Sequence, residues 1–167
     1  MPGEQHKRNT VASVSCGVLT VSDTRTMETD RSGAIVRATL EAHGHRVHRR
    51  EIVPDEPSRV RETVVAWCGD GGCQAVLLTG GTGLASRDTT FEAVSAVLDK
   101  RLDGFGELFR MLSYEQIGSG AMLSRAVAGV CNGTAVFSMP GSTAAVRLAL
   151  DKLILPELGH VVWLLQP

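Results

Sequence analysis

No charge of one sign dominates this chain. Its 17 basic residues stand against 18 acidic ones, for a net charge of −1, so bulk electrostatics recruits neither nucleic acid nor an acidic membrane. Recognition must be local. No apolar stretch approaches the roughly 18 residues of a membrane span, and the polar start, Met1 to Thr10, has no signal-peptide core. Cys16, Cys68, Cys73 and Cys131 form no C-x-x-C pair, and the histidines at 6, 43, 45, 48 and 160 complete no zinc pattern. This predicts reduced, structural thiols in a cytoplasmic protein. Two nucleotide fingerprints are also missing. No G-x-x-x-x-G-K-[ST] occurs, and Gly81-Thr82-Gly83 runs into Leu84-Ala85-Ser86, which breaks G-x-G-x-x-G. No Ser-His-Asp or Cys-His arrangement, internal repeat or low-complexity tract is evident.

What is present fits one globular domain. With 167 residues and 43% hydrophobic content the chain can bury a sizeable core. The expected organisation is a flexible N-terminal tail over 1–14 and a single domain over 15–167. Apolar runs alternate with helical periods: a strand at Gly17–Val21, a helix at Ser32–His43, a strand at Val47–Val53, and a helix at Ser58–Cys68 with Val60, Val64 and Cys68 on one stripe. A strand at Ala75–Leu78 and a helix from about Thr90 to Leu98 form the next unit. Leu108–Glu115 reads as a helix between glycine pairs. Thr134–Phe137 reads as a strand, Val146, Ala149, Leu150 and Leu153 as a helix stripe, and Leu158–Leu165 as a final element, preferably a helix. This βαβα rhythm predicts an α/β fold with a parallel sheet covered by helices.

Ligands of open parallel sheets bind at the carboxyl ends of the strands. Here those ends are polar: Ser22-Asp23-Thr24-Arg25, Pro54-Asp55-Glu56, Thr79 to Asp88, and Ser138 to Ser142. The third loop, T-G-G-T-G-L-A-S-R-D, packs three glycines into positions 80–83, a composition that lets backbone N–H groups approach an anion. Each polar residue also has a structural reading. Asp55 is a cap candidate for the helix beginning near Pro57, Thr89 and Glu92 match a capping box, Ser142 is a cap candidate for the last helix, and Asp23 and Arg25 suit a surface ion pair. Taken together, two carboxylates, Asp55 and Asp88, beside hydroxyls and a glycine loop suit Mg²⁺ bridging phosphate oxygens, which points to phosphoryl or nucleotidyl transfer. His43, His45 and His48 fall at the opposite end of the sheet.

The motifs S-D-T-R (22–25), P-D-E (54–56), T-G-G-T-G-x-x-x-R-D (79–88), G-F-G-E-L-F-R (104–110), L-S-R-A (123–126) and M-P-G-S (139–142) resemble, in that order, the MoaB/Mog family of molybdenum cofactor biosynthesis proteins. The wording is closer to MoaB. The resemblance spans about Cys16 to Leu165 and implies a three-layer α/β/α sandwich with a mostly parallel central sheet, the molybdopterin-binding fold. It also implies a homotrimer that some members double into a hexamer, and adenylylation of molybdopterin by Mg-ATP with release of pyrophosphate. A noncatalytic molybdopterin-binding or carrier paralogue is the alternative. Carried over residue by residue, Asp55 and Asp88 are the catalytic and Mg²⁺-holding carboxylates. Gly80, Gly81, Thr82 and Gly83 line the nucleotide and pterin pocket, and Ser22, Asp23, Ser138, Gly141 and Ser142 complete its walls. Glu92, Ser124 and Arg125 match family positions without a defined ligand atom. The molybdate-inserting enzyme of the pathway is a further expected partner.

Overall fold

The computed structural model describes residues 9–167. Its centre is a six-stranded sheet in the order β2-β1-β3-β6-β5-β4. Strands β1 (Ser15–Val21), β2 (Arg46–Val53), β3 (Ala75–Thr79) and β6 (Thr134–Met139) run parallel, whereas β5 (Val127–Cys131) and β4 (Lys100–Arg101) extend the sheet antiparallel. The expected mostly parallel sheet is therefore present, with one hairpin that the sequence reading overlooked. Asn132 and Gly133 turn β5 into β6, and both adopt positive φ, 48° and 76°, as the favoured two-residue hairpin turn requires.

The helices are α1 (Arg31–Ala42), α2 (Pro57–Gly69), α3 (Thr90–Ser95), α4 (Asp103–Ile117), α5 (Thr143–Ala149) and α6 (Leu155–Leu164). A 3-10 segment, Gly118–Leu123, follows α4, and a π-helical turn, Leu150–Ile154, joins α5 to α6. Helix α3 ends earlier than expected, and α4 begins five residues sooner than the expected Leu108. Among the described residues, no helix is long and apolar enough to cross a membrane.

Strand alternation divides the core into two layers. Cys16, Val18, Ala75, Leu77, Ala135, Phe137 and Met139 pack with α1, α4, α5 and α6. Leu19, Val21, Val76, Leu78 and Val136 pack with Val60, Val64 and Trp67 of α2 and Ala93 and Val94 of α3. The result is a three-layer α/β/α sandwich whose central strands are buried on both faces, which explains their unbroken apolar runs. All four cysteines are buried free thiols.

Residues 1–8 of the expected tail lie outside the described residues, but 9–14 depart from that expectation. The Val11 N–H donates to the Gly159 carbonyl at 3.0 Å, the His160 ring bonds the Asn9 carbonyl at 2.9 Å, and Val14 is fully buried. The segment packs this closely because position 159 has no side chain: a Cβ there would sit 2.5 Å from the Val11 carbonyl oxygen and would also meet Thr10 Oγ1. Gly159→Ala is expected to destabilise the protein by about 1–3 kcal/mol through this overpacking. Urea denaturation would report the loss, and amide exchange at Val11 should accelerate; unchanged exchange would show that the contact does not anchor the segment.

Candidate functional site

The parallel register brings three strand ends to one level, with Thr20 opposite Thr79 and Thr79 opposite Met139. The loops that leave them open two adjoining clefts. One, about 430 Å³, is lined by Gly80–Gly83 and Asp88 on one side and by Phe109, Ile117, Ala121 and Leu123 on the other. The second, about 360 Å³, is lined by Thr20, Ser22, Arg25, Arg31, Ser32 and Thr79 among others. Gly80, Gly141 and Ser142 line both and form their common boundary.

The glycine loop owes its path to missing side chains. Gly80 and Gly81 adopt φ of 97° and 68°, a region costly for other residues. A Cβ on Gly81 would sit 2.7 Å from Asp55 Oδ2, and one on Gly83 would sit 2.6 Å from Asp88 Oδ2. The loop is thus flanked by the two aspartates expected from sequence. The N–H groups of Gly81, Thr82, Gly83 and Leu84 have no acceptor among the described residues. Free peptide donors of this kind suit an anionic ligand.

The two aspartates are not equivalent. Asp88 lines the larger cleft, and its carboxylate has no hydrogen-bond partner among the described residues. Asp55 is 8% exposed and lines neither cleft. Its Oδ1 accepts from the Thr89 N–H at 3.2 Å and the Thr89 hydroxyl at 2.8 Å, which leaves Oδ2 against Gly81. Asp55 therefore holds the chain at the start of α3 rather than capping α2, whose N-cap position belongs to Glu56. The expected capping box does not form either, because Thr89 turns its hydroxyl to Asp55 and Glu92 pairs with Arg125. Ser142 does cap α5, accepting from the Ala145 N–H at 3.2 Å.

Asp23 does not pair with Arg25. It accepts from Arg87 at 3.1 and 2.6 Å and from the Asp55 N–H at 3.0 Å. The Arg87 hydrogen bond, followed by that from the Asp55 backbone, lowers its pKa below the usual aspartate value. This aspartate stitches three loops together. Ser22 Oγ accepts from the Thr24 and Arg25 N–H groups at 3.2 and 3.0 Å, shaping the turn that brings Arg25 to the smaller cleft.

Ser138 is a correction to the expected wall. It is fully buried, lines neither cleft, and shares the parity of Val136 rather than that of Phe137 and Met139, so it faces the α2 and α3 layer. Ser124 lines the larger cleft, whereas Arg125 stands behind the glycine loop.

The floor of the smaller cleft escaped the sequence reading. Asp30, 3% exposed, accepts from the Thr20 hydroxyl at 2.7 Å, the Gly33 N–H at 2.9 Å and Arg50 at 3.0 Å. Ser32 donates to the Gly141 carbonyl at 2.5 Å, tying α1 to the boundary loop. The available signals were the even-parity Thr20 at the end of a buried strand and an aspartate three residues before Gly33, a capping pattern. Burial alone would raise the Asp30 pKa, but the hydrogen bonds from Thr20, Gly33 and Arg50 and the Arg50 charge outweigh it and bring it below the usual value.

Residues 17–160 match the family described as "Probable molybdopterin binding domain". The chain is 55% identical over 163 residues to the molybdenum cofactor biosynthesis protein B of Bacillus subtilis, covering 97% of this chain and 96% of that one. A crystal structure of a molybdenum cofactor biosynthesis protein B superposes with a TM-score of 0.90 at 54% identity, over 92% of this chain and 96% of that one. A tungsten cofactor synthesizing protein MoaB from Pyrococcus furiosus gives 0.81 at 36% identity, over 90% and 96%.

Removing the buried partner of Arg50 tests the floor. Asp30→Ala is expected to cost about 3–5 kcal/mol at neutral pH, since it leaves a mostly buried guanidinium unpaired. Because the folded carboxyl pKa is lowered, its contribution is present above the unfolded value and is lost as pH falls through the folded one. The stability gap between wild type and variant, read by denaturant titration, should therefore close in acid; a gap independent of pH would refute the charged pairing.

Proposed function

The chain belongs to the MoaB/Mog family of molybdenum cofactor biosynthesis proteins, and from that premise we propose that its step in the pathway is Mg-ATP-dependent adenylylation of molybdopterin. The observation that carries this reading is the pair of clefts with a common boundary. The larger combines free loop N–H groups and Asp88 with an apolar wall of Phe109, Ile117, Ala121 and Leu123. Such a cleft suits a nucleotide, with its base on the apolar side and its phosphates along the loop. The smaller cleft has hydroxyls and two arginines, Arg25 and Arg31, which suit the pterin and its terminal phosphate.

In the proposed reaction an oxygen of that phosphate attacks the α-phosphorus of ATP, and the bond from the α-phosphorus to the oxygen bridging to the β-phosphate breaks. Pyrophosphate carries away the electron pair. No protein nucleophile is required, because bringing two phosphates together and neutralising their charge supplies the catalysis. Gly80, Gly141 and Ser142 belong to both clefts, so the reacting groups would meet there. The donor set fits magnesium. Among the described residues no three His, Cys, Asp or Glu side chains converge on one point, and Mg²⁺ commonly takes one or two carboxylates and completes its shell with phosphate and water. Asp88 would hold it at the cleft, and Asp55, the second carboxylate expected from sequence, lines neither cleft but keeps Oδ2 uncommitted behind Gly81; when bound, the ion would neutralise phosphate charge.

The carrier alternative draws on Asp55, whose Oδ1 is committed to Thr89 and which is nearly buried. A homo-oligomer, trimer or hexamer, is supported by Leu108, Met111 and Tyr114, which repeat at every third position along α4 and are all exposed, beside exposed Met122 and outside the larger cleft. A second copy is the natural cover for such a stripe.

Purified protein mixed with molybdopterin, MgCl₂ and ATP should form adenylylated pterin and pyrophosphate. Asp88→Asn should slow the reaction by about 100-fold or more. Equal rates for both would remove Asp88 from the site, and tight pterin binding without product would favour the carrier.

A further inference from the structure

We propose that Arg125 is a positioning residue that sets the polarity of the glycine loop, turning the loop's carbonyls away from the nucleotide cleft and its N–H groups toward it. The proposal rests on the reading of that cleft as a phosphate site. From behind the loop, Arg125 Nε donates to the Gly83 carbonyl at 3.0 Å and, more weakly, to the Thr82 carbonyl at 3.4 Å. Its Nη2 donates to the Gly83 carbonyl at 2.6 Å and the Asp88 carbonyl at 2.9 Å. Nη1 donates to the Glu92 carboxylate. The guanidinium also lies over the Phe91 ring, 5.2 Å from its centroid. One planar group thus holds both ends of the segment from Thr82 to Asp88.

The consequence follows from peptide geometry. In a planar trans peptide the C=O and the next N–H point in opposite directions. Fixing the carbonyls of Thr82 and Gly83 on Arg125 therefore directs the N–H groups of Gly83 and Leu84 the other way. Both lack an acceptor among the described residues, and Gly83 lines the cleft. The Asp88 carbonyl behaves alike: its peptide partner, the Thr89 N–H, donates to Asp55. Arg125 accordingly sets the backbone beneath both aspartates without touching a ligand.

Turned over, the same peptides would present carbonyl oxygens to phosphate. Glycine at 80, 81 and 83 makes such a turnover easy, since glycine populates positive and negative φ about equally. A rigid external clamp is what keeps one state. Lysine would keep the charge but not the fork that reaches several carbonyls at once. Glu92 fixes the guanidinium in its plane, which gives the residue a role that neither capping nor ligand contact supplied.

The test compares wild type, Arg125→Lys and Glu92→Gln by calorimetric binding of inorganic pyrophosphate and of Mg-ATP, alongside thermal unfolding and adenylylation kinetics. Arg125→Lys is expected to weaken both anions by about 10- to 100-fold, the loss of one or two charge-assisted backbone contacts. It should raise the KM for ATP more than it lowers kcat, with pterin affinity and the unfolding midpoint nearly unchanged. Glu92→Gln should fall between the two. Arg125→Lys that binds pyrophosphate like wild type overturns the positioning role, even if adenylylation is confirmed. Pyrophosphate binding that depends on Arg125 in a protein without adenylylation upholds positioning and sinks only the proposed reaction. A wild type that binds neither anion overturns both.

Discussion

The ladder of hydrogen bonds joining β1, β3 and β6 is the constraint on which the site depends. Parallel strands in register must end together, and here Thr20, Thr79 and Met139 form the last paired row. One more bond, from the Gly80 N–H to the Met139 carbonyl at 3.0 Å, carries the ladder a residue further. Beyond it the chains diverge toward helices on opposite layers, with α1 and α5 on one face and α3 on the other. Divergence at a common level is what opens the two clefts, and the boundary residues Gly80 and Gly141 sit at the point of separation. A register slip of one residue would reverse the faces of Thr20 and Thr79 and dismantle the floor.

Loops that diverge must be tied, and three aspartates do this, two in the connection after β1 and one after β2. Asp23 links Arg87 and the Asp55 backbone, Asp30 links Thr20, Gly33 and Arg50, and Asp55 links the start of α3. Asp88 differs from them in that its carboxylate has no partner among the described residues, the Arg125 contact being to its backbone carbonyl. A carboxylate that already accepts two or three hydrogen bonds has less capacity left for a cation than one that accepts none. This ranks Asp88 ahead of Asp55 as a ligand-facing group, although the sequence motifs present them as a matched pair. Capping and ligand binding are therefore not exclusive explanations: Ser142 caps α5 and also borders both clefts.

The layers were legible because the buried parallel strands are short apolar runs and the helices carry clear stripes, as with Val60, Val64 and Cys68. The β5–β6 hairpin was missed although Asn132-Gly133 is a strong turn signal, since Val127–Cys131 contains Ala128 and Gly129 and reads as weakly β-forming. The start of α4 was hidden by Gly104 and Gly106. The second of these is required where the helix lies against the chain entering β5, because a Cβ there would be 2.7 Å from the Ala126 carbonyl oxygen. Four polar strand ends pointed to the edge of the sheet where the two clefts open. Their partners did not, because Asp23–Arg87 and Arg125–Gly83 join residues 64 and 42 positions apart, and local pattern carries no information about such pairs. Ser138 shows the limit in the other direction: adjacency to a loop does not place a side chain in its pocket when strand parity turns it to the opposite layer.

The remaining arrangement separates charges that hold the clefts together from peptide dipoles that are left for a ligand. Arg50, Arg87 and Arg125 are each engaged with aspartates, glutamate or carbonyls of the protein, while the loop N–H groups have no acceptor among the described residues. A polyphosphate entering the larger cleft would thus meet preset peptide dipoles before it met mobile cationic side chains. Preset donors need little reorganisation as charge moves between phosphates, whereas a swinging arginine must break an existing pair first. For the proposed transfer, which would need alignment more than covalent participation, rigidity behind the loop would be the property that matters, and the Arg125 fork, closed by Glu92 and seated on Phe91, supplies that rigidity.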